Sequence, residues 1–447
     1  MSHNHWPHLL RVTHLLPAIL IASVLGITSC FAQEGAETPA PPAGEAVATE
    51  EPPATGQEPP TETATEPTTE TTAEVNAAPA AEPSEAGQTK PEETGQEASE
   101  PPKAAGPAAK EFDNVFAEWK SLLKDLRDLK VEAQIADDQK LKELQSKWDA
   151  KLLAGREMEP KLRNAAVAAY KESPNADREL VRYLITVTSD MLRIDDYQSA
   201  QELVTVLVEN KSDEKELHDL AGIAAFGSND YAAAEEHLKA ADEEGTISSQ
   251  GSKFLSQVAE CKDNWAKELE IREAEAAADD LPRVKLSTDV GDIVIELFEN
   301  EAPETVGNFI NLVENGFYDG LTFHRVLGAF MAQGGCPNGD GSGGPGYNIY
   351  CECVNDNHRK HFAGSLSMAK QQAKNTGGAQ FFITYVSTSF LDGQHTVFGR
   401  VVEGLDVLPK ITKRDPDGAP PLPIATKIEK ATVVRKRDHD YRPNKVG

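Results

Sequence analysis

Phe323-His324-Arg325-Val326-Leu327-Gly328-Ala329-Phe330-Met331-Ala332-Gln333-Gly334-Gly335 sets one arginine and one glutamine among aromatic and apolar side chains and closes on paired glycines. Its polar groups are donors or amide dipoles, and no acid, base–nucleophile pair or phosphate cradle stands out. A guanidinium beside an apolar slot suits a site that grips a neutral peptide. Around this stretch the pattern is that of strands. Pro282 ends a helical run, and residues 283–287 and 292–298 are β-rich and flank the hairpin-like turn Asp289-Val290-Gly291. Residues 302–315 read as an amphipathic helix, with Val306, Phe309, Ile310 and Val313 on one face. Short apolar runs follow at 321–326, 330–333, 365–369, 381–385, 396–402 and 425–434. Many short strands with one or two helices suggest a closed β-barrel, because closure removes exposed strand edges.

Five blocks then occur in a specific order. They are Phe323-His324-Arg325-Val326, Phe330-Met331-Ala332-Gln333-Gly334-Gly335, Leu366-Ser367-Met368-Ala369, Gln380-Phe381-Phe382-Ile383 and Leu391-Asp392-Gly393-Gln394-His395-Thr396-Val397-Phe398-Gly399. That order resembles the cyclophilins, which are peptidyl-prolyl cis-trans isomerases, and the resemblance covers residues 281–436. It implies an eight-stranded closed barrel capped by two helices, with the active groove on its outer face. Rotation about an X–Pro amide must cross a barrier near ~18–20 kcal/mol. No bond breaks, so neither nucleophile, metal nor cofactor is required. The barrier falls when the twisted amide is bound better than either planar form and when a donor stands where charge develops.

By resemblance, Arg325 is that donor, Gln333 positions the carbonyl, and His395 and Gln380 line the groove. Phe330, Met331, Phe382 and Leu391 would hold the proline ring, and the backbone of Ala369 and Lys370 would pair with the substrate chain. Phe390 stands where many family members carry tryptophan, which implies weak inhibition by the cyclic peptide cyclosporin. Lys370 replaces an asparagine common in eukaryotic members, and the loop 370–379 is one residue longer than the shortest family form. Two rival motifs carry less. Gly339-x-Gly341-x-Gly343-Gly344 is interrupted by Pro345, with no helix pattern after it as a phosphate loop requires. Cys351-x-Cys353 with His358 and His361 does not match zinc-site spacing.

Upstream, residues 111–280 read as a helical domain. Phe112, Phe116, Trp119, Leu122, Leu123, Leu126 and Leu129 recur at three- and four-residue steps, and Leu141, Leu144, Trp148 and Leu152 do the same. Asp196-Tyr197-Gln198-Ser199-Ala200 is answered by Asp230-Tyr231-Ala232-Ala233-Ala234, with the tyrosines 34 residues apart. That is the period of a tetratricopeptide repeat, and Gly222 and Ala241 fall where such a repeat has small residues. Two repeats are fewer than a stable stack needs, so flanking helices in 111–170 and 250–278 are expected to cap them. Stacked helix pairs present a surface for a peptide or partner protein; a spacer or dimerising element is the plainer reading.

The N-terminus carries an address. Residues 15–27 are almost wholly apolar, and these thirteen residues fit a signal-peptide core while falling short of the ~20 that span a bilayer. Ile27-Thr28-Ser29-Cys30 resembles a lipobox in which Cys30 is lipidated; Cys30-Phe31-Ala32 offers cleavage after Ala32 instead. Residues 1–32 are therefore taken as an export signal, directing the chain to the periplasm or cell envelope, with membrane attachment only through signal or lipid. Residues 33–110 hold sixteen glutamates, no aspartate and three lysines, a large share of the chain's net charge of -29. Rich in Ala, Pro, Glu and Thr, this tail is expected to stay disordered, and residues 437–447 form a second polar tail. The acidic balance excludes nucleic acid, whose phosphates need a positive face. Five cysteines are too few for a disulfide framework, although a bond from Cys336 to Cys351 or Cys353 stays open in an oxidising compartment.

The sequence thus reads as an exported isomerase acting on proline-containing client polypeptides, with the repeats as a docking element for a partner. A non-catalytic proline-peptide-binding chaperone and a repeat-based scaffold are the rivals.

Overall fold

The computed structural model describes residues 106–446. The signal, Cys30 and nearly all of the acidic tail lie outside the described residues. The last residues assigned to that tail instead open α1 (Pro107–Ala133), with proline in the first turn, where its missing N–H has no helical partner to lose. Helix α2 (Asp138–Glu172) returns beside it. Glu172 at the end of α2 accepts from the N–H groups of Ala108 and Ala109 at 3.0 and 3.3 Å, so the two helices run antiparallel.

Helices α3 (Arg178–Arg193), α4 (Tyr197–Glu209), α5 (Leu217–Gly227) and α6 (Tyr231–Glu243) form two consecutive pairs, with α4 also packed on α5. The corners repeat atom for atom. Asp196 and Asp230 cap α4 and α6 by accepting from the N–H groups of Ser199 and Ala233. The residue before each, Asp195 and Asn229, is left-handed at φ 69° and 64°. The tyrosine after each cap folds back, Tyr197 onto Asp195 at 3.0 Å and Tyr231 onto Asn229 at 2.8 Å. Gly222 lets α5 and α6 close, since a Cβ there would lie 2.5 Å from Leu238 Cγ. Thr188, its counterpart in the first pair, is buried and returns its hydroxyl to the Leu184 carbonyl.

Helix α7 (Ser249–Ala278) leads into the sheet. The strands are β1 (Arg283–Thr288), β2 (Gly291–Leu297), β3 (Arg325–Leu327), β4 (Met331–Gly334), β5 (Ser365–Met368), β6 (Phe381–Thr384), β7 (Val397–Glu403) and β8 (Ile428–Arg435). They form one antiparallel sheet in the order β3-β4-β6-β5-β7-β2-β1-β8, curled as a half-barrel. β3 and β8 are the two ends of this sheet and are not paired with each other as strands. Single backbone bonds at Gly320, Phe323 and Ile428 span that gap. Among the described residues the helices of this domain are one α-helix and two 3-10 turns. The α-helix is α8 (Pro303–Glu314), and its N-terminus is held by Glu352, which accepts from Glu304 and Thr305. The later helical element is a short 3-10 turn, Leu405–Lys410, in which Pro409 removes a donor.

Phe309, Tyr318, Phe323, Phe381 and Phe398 are fully buried and fill the concave side, and the apolar core continues from the sheet into the helices. Gly335, the second of the paired glycines, has φ 82°, and a Cβ there would sit 2.5 Å from the Ala379 carbonyl. Only glycine fits that close approach.

The helices also meet the sheet through charge. Arg359 donates to both oxygens of Glu268 on α7 at 2.9 and 2.6 Å and to Glu275 at 2.5 Å, while its guanidinium lies 3.8 Å over Phe298. Arg400 on β7 links Glu275 to Glu296 on β2. Trp265 packs on Phe362 with ring centres 4.8 Å apart.

Candidate active site

One face of β3, β4 and β6 gathers most of the expected site. Arg325 stands opposite Gln333, and Gln333 opposite Phe382. Residues directly opposite on antiparallel strands share a face, so guanidinium, amide and ring form one row, which Ser367 continues on β5. Met331, two residues from Gln333, points the same way. Phe330 lies just before β4; its ring is 5.7 Å from Phe390 and 6.0 Å from the guanidinium carbon of Arg325. Phe390 and Leu391 belong to the short 3-10 turn Ser389–Leu391, with Phe390 exposed.

Gln333 donates to Gln380 at 3.0 Å, and Gln380 donates to the carbonyls of Gly341 and Gly343 at 2.7 and 2.8 Å. The glycine-rich segment therefore orients the two amides rather than cradling phosphate. A cavity of about 470 Å³ opens on this side; it is lined by Gln333, Ala369, Lys370 and Gln380 and by the segment 341–348, and does not include Arg325, Phe330 or Phe382. The aromatic slot and the deep cavity are thus adjacent but separate. The Ala369 N–H is engaged by the Gln380 carbonyl at 2.9 Å, which leaves its carbonyl as the backbone group open to a peptide. The Lys370 ammonium turns onto the Gln371 carbonyl.

His395 meets the Met368 carbonyl through Nδ1 at 3.0 Å and sets its ring edge-on to Phe382. Burial holds it below the ordinary histidine value, although the Met368 carbonyl works the other way. A residue whose part the sequence did not show lies behind Phe382. The His361 imidazole stacks on that ring at 5.9 Å, with Nδ1 2.8 Å from Asp392 and Nε2 2.9 Å from Ser367. Burial pushes its pKa down despite Asp392; Nδ1 faces the carboxylate, and the Ser367 hydroxyl beside Nε2 donates to the Thr396 carbonyl at 3.1 Å. In the sequence it stood only in the group Cys351-x-Cys353, His358 and His361, whose spacing does not match a zinc site.

This geometry fixes a pH response. The unfolded chain binds a proton at His361 near the ordinary value of 6.5, where the folded chain does not. Stability therefore rises with pH through the window just below 6.5 and is lost on acidification, by up to about 1.4 kcal/mol per pH unit for each such histidine. Denaturant unfolding between pH 7.5 and 5.5 should show that fall, and His361→Gln should flatten it; an equal slope in both proteins would remove His361 as its source.

The four described cysteines are free. Cys336 accepts from the N–H groups of Gly341 and Gly343, and the nearest sulfur to Cys351 is that of Cys353 at 2.7 Å. The pairing from Cys336 is not made.

Residues 283–433 match the family model for cyclophilin type peptidyl-prolyl cis-trans isomerase/CLD. A peptidyl-prolyl cis-trans isomerase of Helicobacter pylori is 50% identical over 151 residues, 33% of this chain and 90% of that relative. The chain belongs to the cyclophilin-type isomerases. Peptidyl-prolyl cis-trans isomerase B of Bacillus subtilis is 51% identical over 130 residues, 29% of this chain and 90% of its own length. The crystal structure of a cyclophilin-type isomerase of Cryptosporidium parvum is 30% identical, with a TM-score of 0.32, covering 35% of this chain and 99% of that one. The cyclophilin domain is the enzymatic part, a peptidyl-prolyl cis-trans isomerase. Helices α1 to α7 lie outside the matched residues.

Proposed function

We propose that this cyclophilin isomerises X–Pro bonds in polypeptides that fold outside the cytoplasm, with the row Arg325–Gln333–Phe382 as its working surface. The observation that carries the reading is that row, with Phe330 and Met331 beside it. As the amide twists, the proline nitrogen regains its lone pair, and Arg325 donates to it. Gln333, oriented by Gln380, donates to the carbonyl preceding the proline. Phe330, Met331, Phe382 and Leu391 hold the ring, Phe390 walls its rim, and neutral His395 keeps Phe382 edge-on. The Ala369 carbonyl and the Lys370 backbone pair with the chain running toward the 470 Å³ cavity. Isomerisation of a proline peptide by the full chain, against Arg325→Ala, tests this assignment.

The helix pairs α3–α4 and α5–α6 are read as two tetratricopeptide-like units, on the strength of the corners that repeat every 34 residues. The bonds at Gly320, Phe323 and Ile428 support a barrel that closes without a ladder. Export rests on residues 15–32, with Cys30 as the lipid-bearing N-terminus. Labelled fatty acid should enter the wild-type chain in the envelope and be absent from Cys30→Ser. An unlabelled, soluble periplasmic protein would overturn the anchor alone, and a cytoplasmic one the export as well.

A further inference from the structure

Two side chains of the helical region reach the backbone of the cyclophilin domain, one from each repeat corner. Asn229 pairs with Ala363, accepting from its N–H at 3.0 Å and donating to its carbonyl at 3.3 Å. Asp195 accepts from the N–H of Ala329 at 2.7 Å. The two corners are equivalent, but what they grip is not. Ala363 lies just before β5, outside the β3–β4 connection. Ala329 immediately precedes Phe330, whose ring faces Arg325 and Phe390.

The residues on either side of that slot are held differently. Arg325 sits in the β3–β4 ladder, and its neighbour Val326 exchanges two backbone bonds with Arg414 at 2.7 and 2.9 Å. Phe330 lies in the connection between β3 and β4. Its carbonyl accepts from Tyr385 N–H at 2.9 Å, and the bond on its other side is the one from Ala329 to Asp195. Ala329 has φ 51°, a left-handed conformation unusual for a residue other than glycine. That turn aims its N–H out of the hairpin and into the helical region.

Asp195 is built for the task. It is buried, its second oxygen is paired with the Lys413 ammonium, and Tyr197 donates to the first. Lys413 is itself seated 3.5 Å over the Tyr385 ring, so the carboxylate, the lysine and the strand bearing Tyr385 enclose the connection that carries Phe330. A hydrogen bond to a buried carboxylate is stronger than one between neutral groups.

We infer that Asp195 is a positioning residue for the isomerase: through Ala329 it fixes Phe330 against the proline ring, so the helical region completes the substrate pocket. The inference rests on the assignment of Phe330 to that pocket. The pocket holds the ring in planar and twisted forms alike, so loosening it removes binding common to ground and transition states and raises KM with little change in kcat. A purely structural loss would lower the active fraction, and hence kcat, at constant KM.

The test uses the full chain, with KM and kcat measured on one proline peptide. Asp195→Ala should raise KM about five- to tenfold with kcat within about twofold, while Asn229→Ala, which cuts the equivalent contact at Ala363, should leave KM unchanged. Equal KM in wild type and Asp195→Ala overturns the inference, as does an equal rise in Asn229→Ala. Phe330→Ala separates the two levels. If it raises KM and Asp195→Ala does not, positioning fails and the pocket assignment stands; if Phe330→Ala leaves KM unchanged, both fail. Should Asp195→Ala not fold, hydrogen exchange at the Ala329 amide of the wild-type chain decides. Protection of about a hundredfold or more supports the bond, and exchange at the unprotected rate overturns it.

Discussion

Arg325→Ala in the full chain is expected to lower kcat/KM for a proline peptide by about 10²–10³-fold, the usual consequence of removing a donor aimed at charge that develops in a transition state. The reaction offers few other ways to lose so much. No bond is cleaved, so catalysis rests on binding the twisted amide better than the planar one, and Arg325 is the cation in the row with Gln333 and Phe382. Its side chain is half-buried and stands outside the buried core, so the variant should unfold at a midpoint close to that of wild type. Arg325→Lys tests the shape of the donor separately from its charge. A lysine is a point charge that cannot present the planar fork, so its rate should fall between those of wild type and the alanine variant. Isomerisation measured by magnetisation exchange on a short peptide reads both. An alanine variant as fast as wild type would take Arg325 out of the mechanism, and a lysine variant as slow as alanine would show that charge alone contributes nothing.

The site was legible because its residues lie in short local blocks. Arg325 and Gln333 are eight residues apart on two strands of one hairpin, in blocks whose order resembles the cyclophilins, and the hairpin's register sets them on one face. The strand runs, α8 and the repeating corners were visible for the same reason: period two, period 3.6 and a 34-residue echo are local signals. What sequence could not show were partners brought together by the fold. Glu268 and Glu275 are seven residues apart on a charged helix, and their guanidinium partners Arg359 and Arg400 lie 84 to 125 residues away. His361, named in the sequence only within a motif whose spacing fails as a metal site, is a ring behind Phe382. Asp195 carried no signal in the sequence at all. How the sheet's edges meet was not legible, since the alternating pattern is the same whether edge strands meet in a ladder or only through a few backbone bonds.

The charge cluster between α7 and the sheet gives the second large effect. Arg359→Met is expected to destabilise the union of the helices with the cyclophilin domain by about 3–5 kcal/mol, because it leaves buried carboxylates without their guanidinium. The Arg359 and Glu268 side chains are 2% and 5% exposed, so water cannot replace what is lost. Burial alone would raise the Glu268 carboxyl; its guanidinium partners, Arg359 and Arg272, outweigh that and hold it below its usual range. Because Arg272 and Arg400 still contact the two carboxylates after the substitution, the loss should fall toward the lower end of that range. Adding Glu268→Leu should recover part of it, since a buried ion pair replaced on both sides by apolar groups is often no worse than the original. The chain supplies its own reporters. Among residues 106–446 every tryptophan (Trp119, Trp148 and Trp265) lies in the helices, so fluorescence follows the helical region, and isomerase activity at saturating peptide, where a change in KM does not enter, follows the sheet. In urea the two signals should lose half their amplitude together in wild type and at separate midpoints in Arg359→Met. Coincident midpoints in the variant would mean that the apolar contact of Trp265 with Phe362 couples the two regions without the buried arginine.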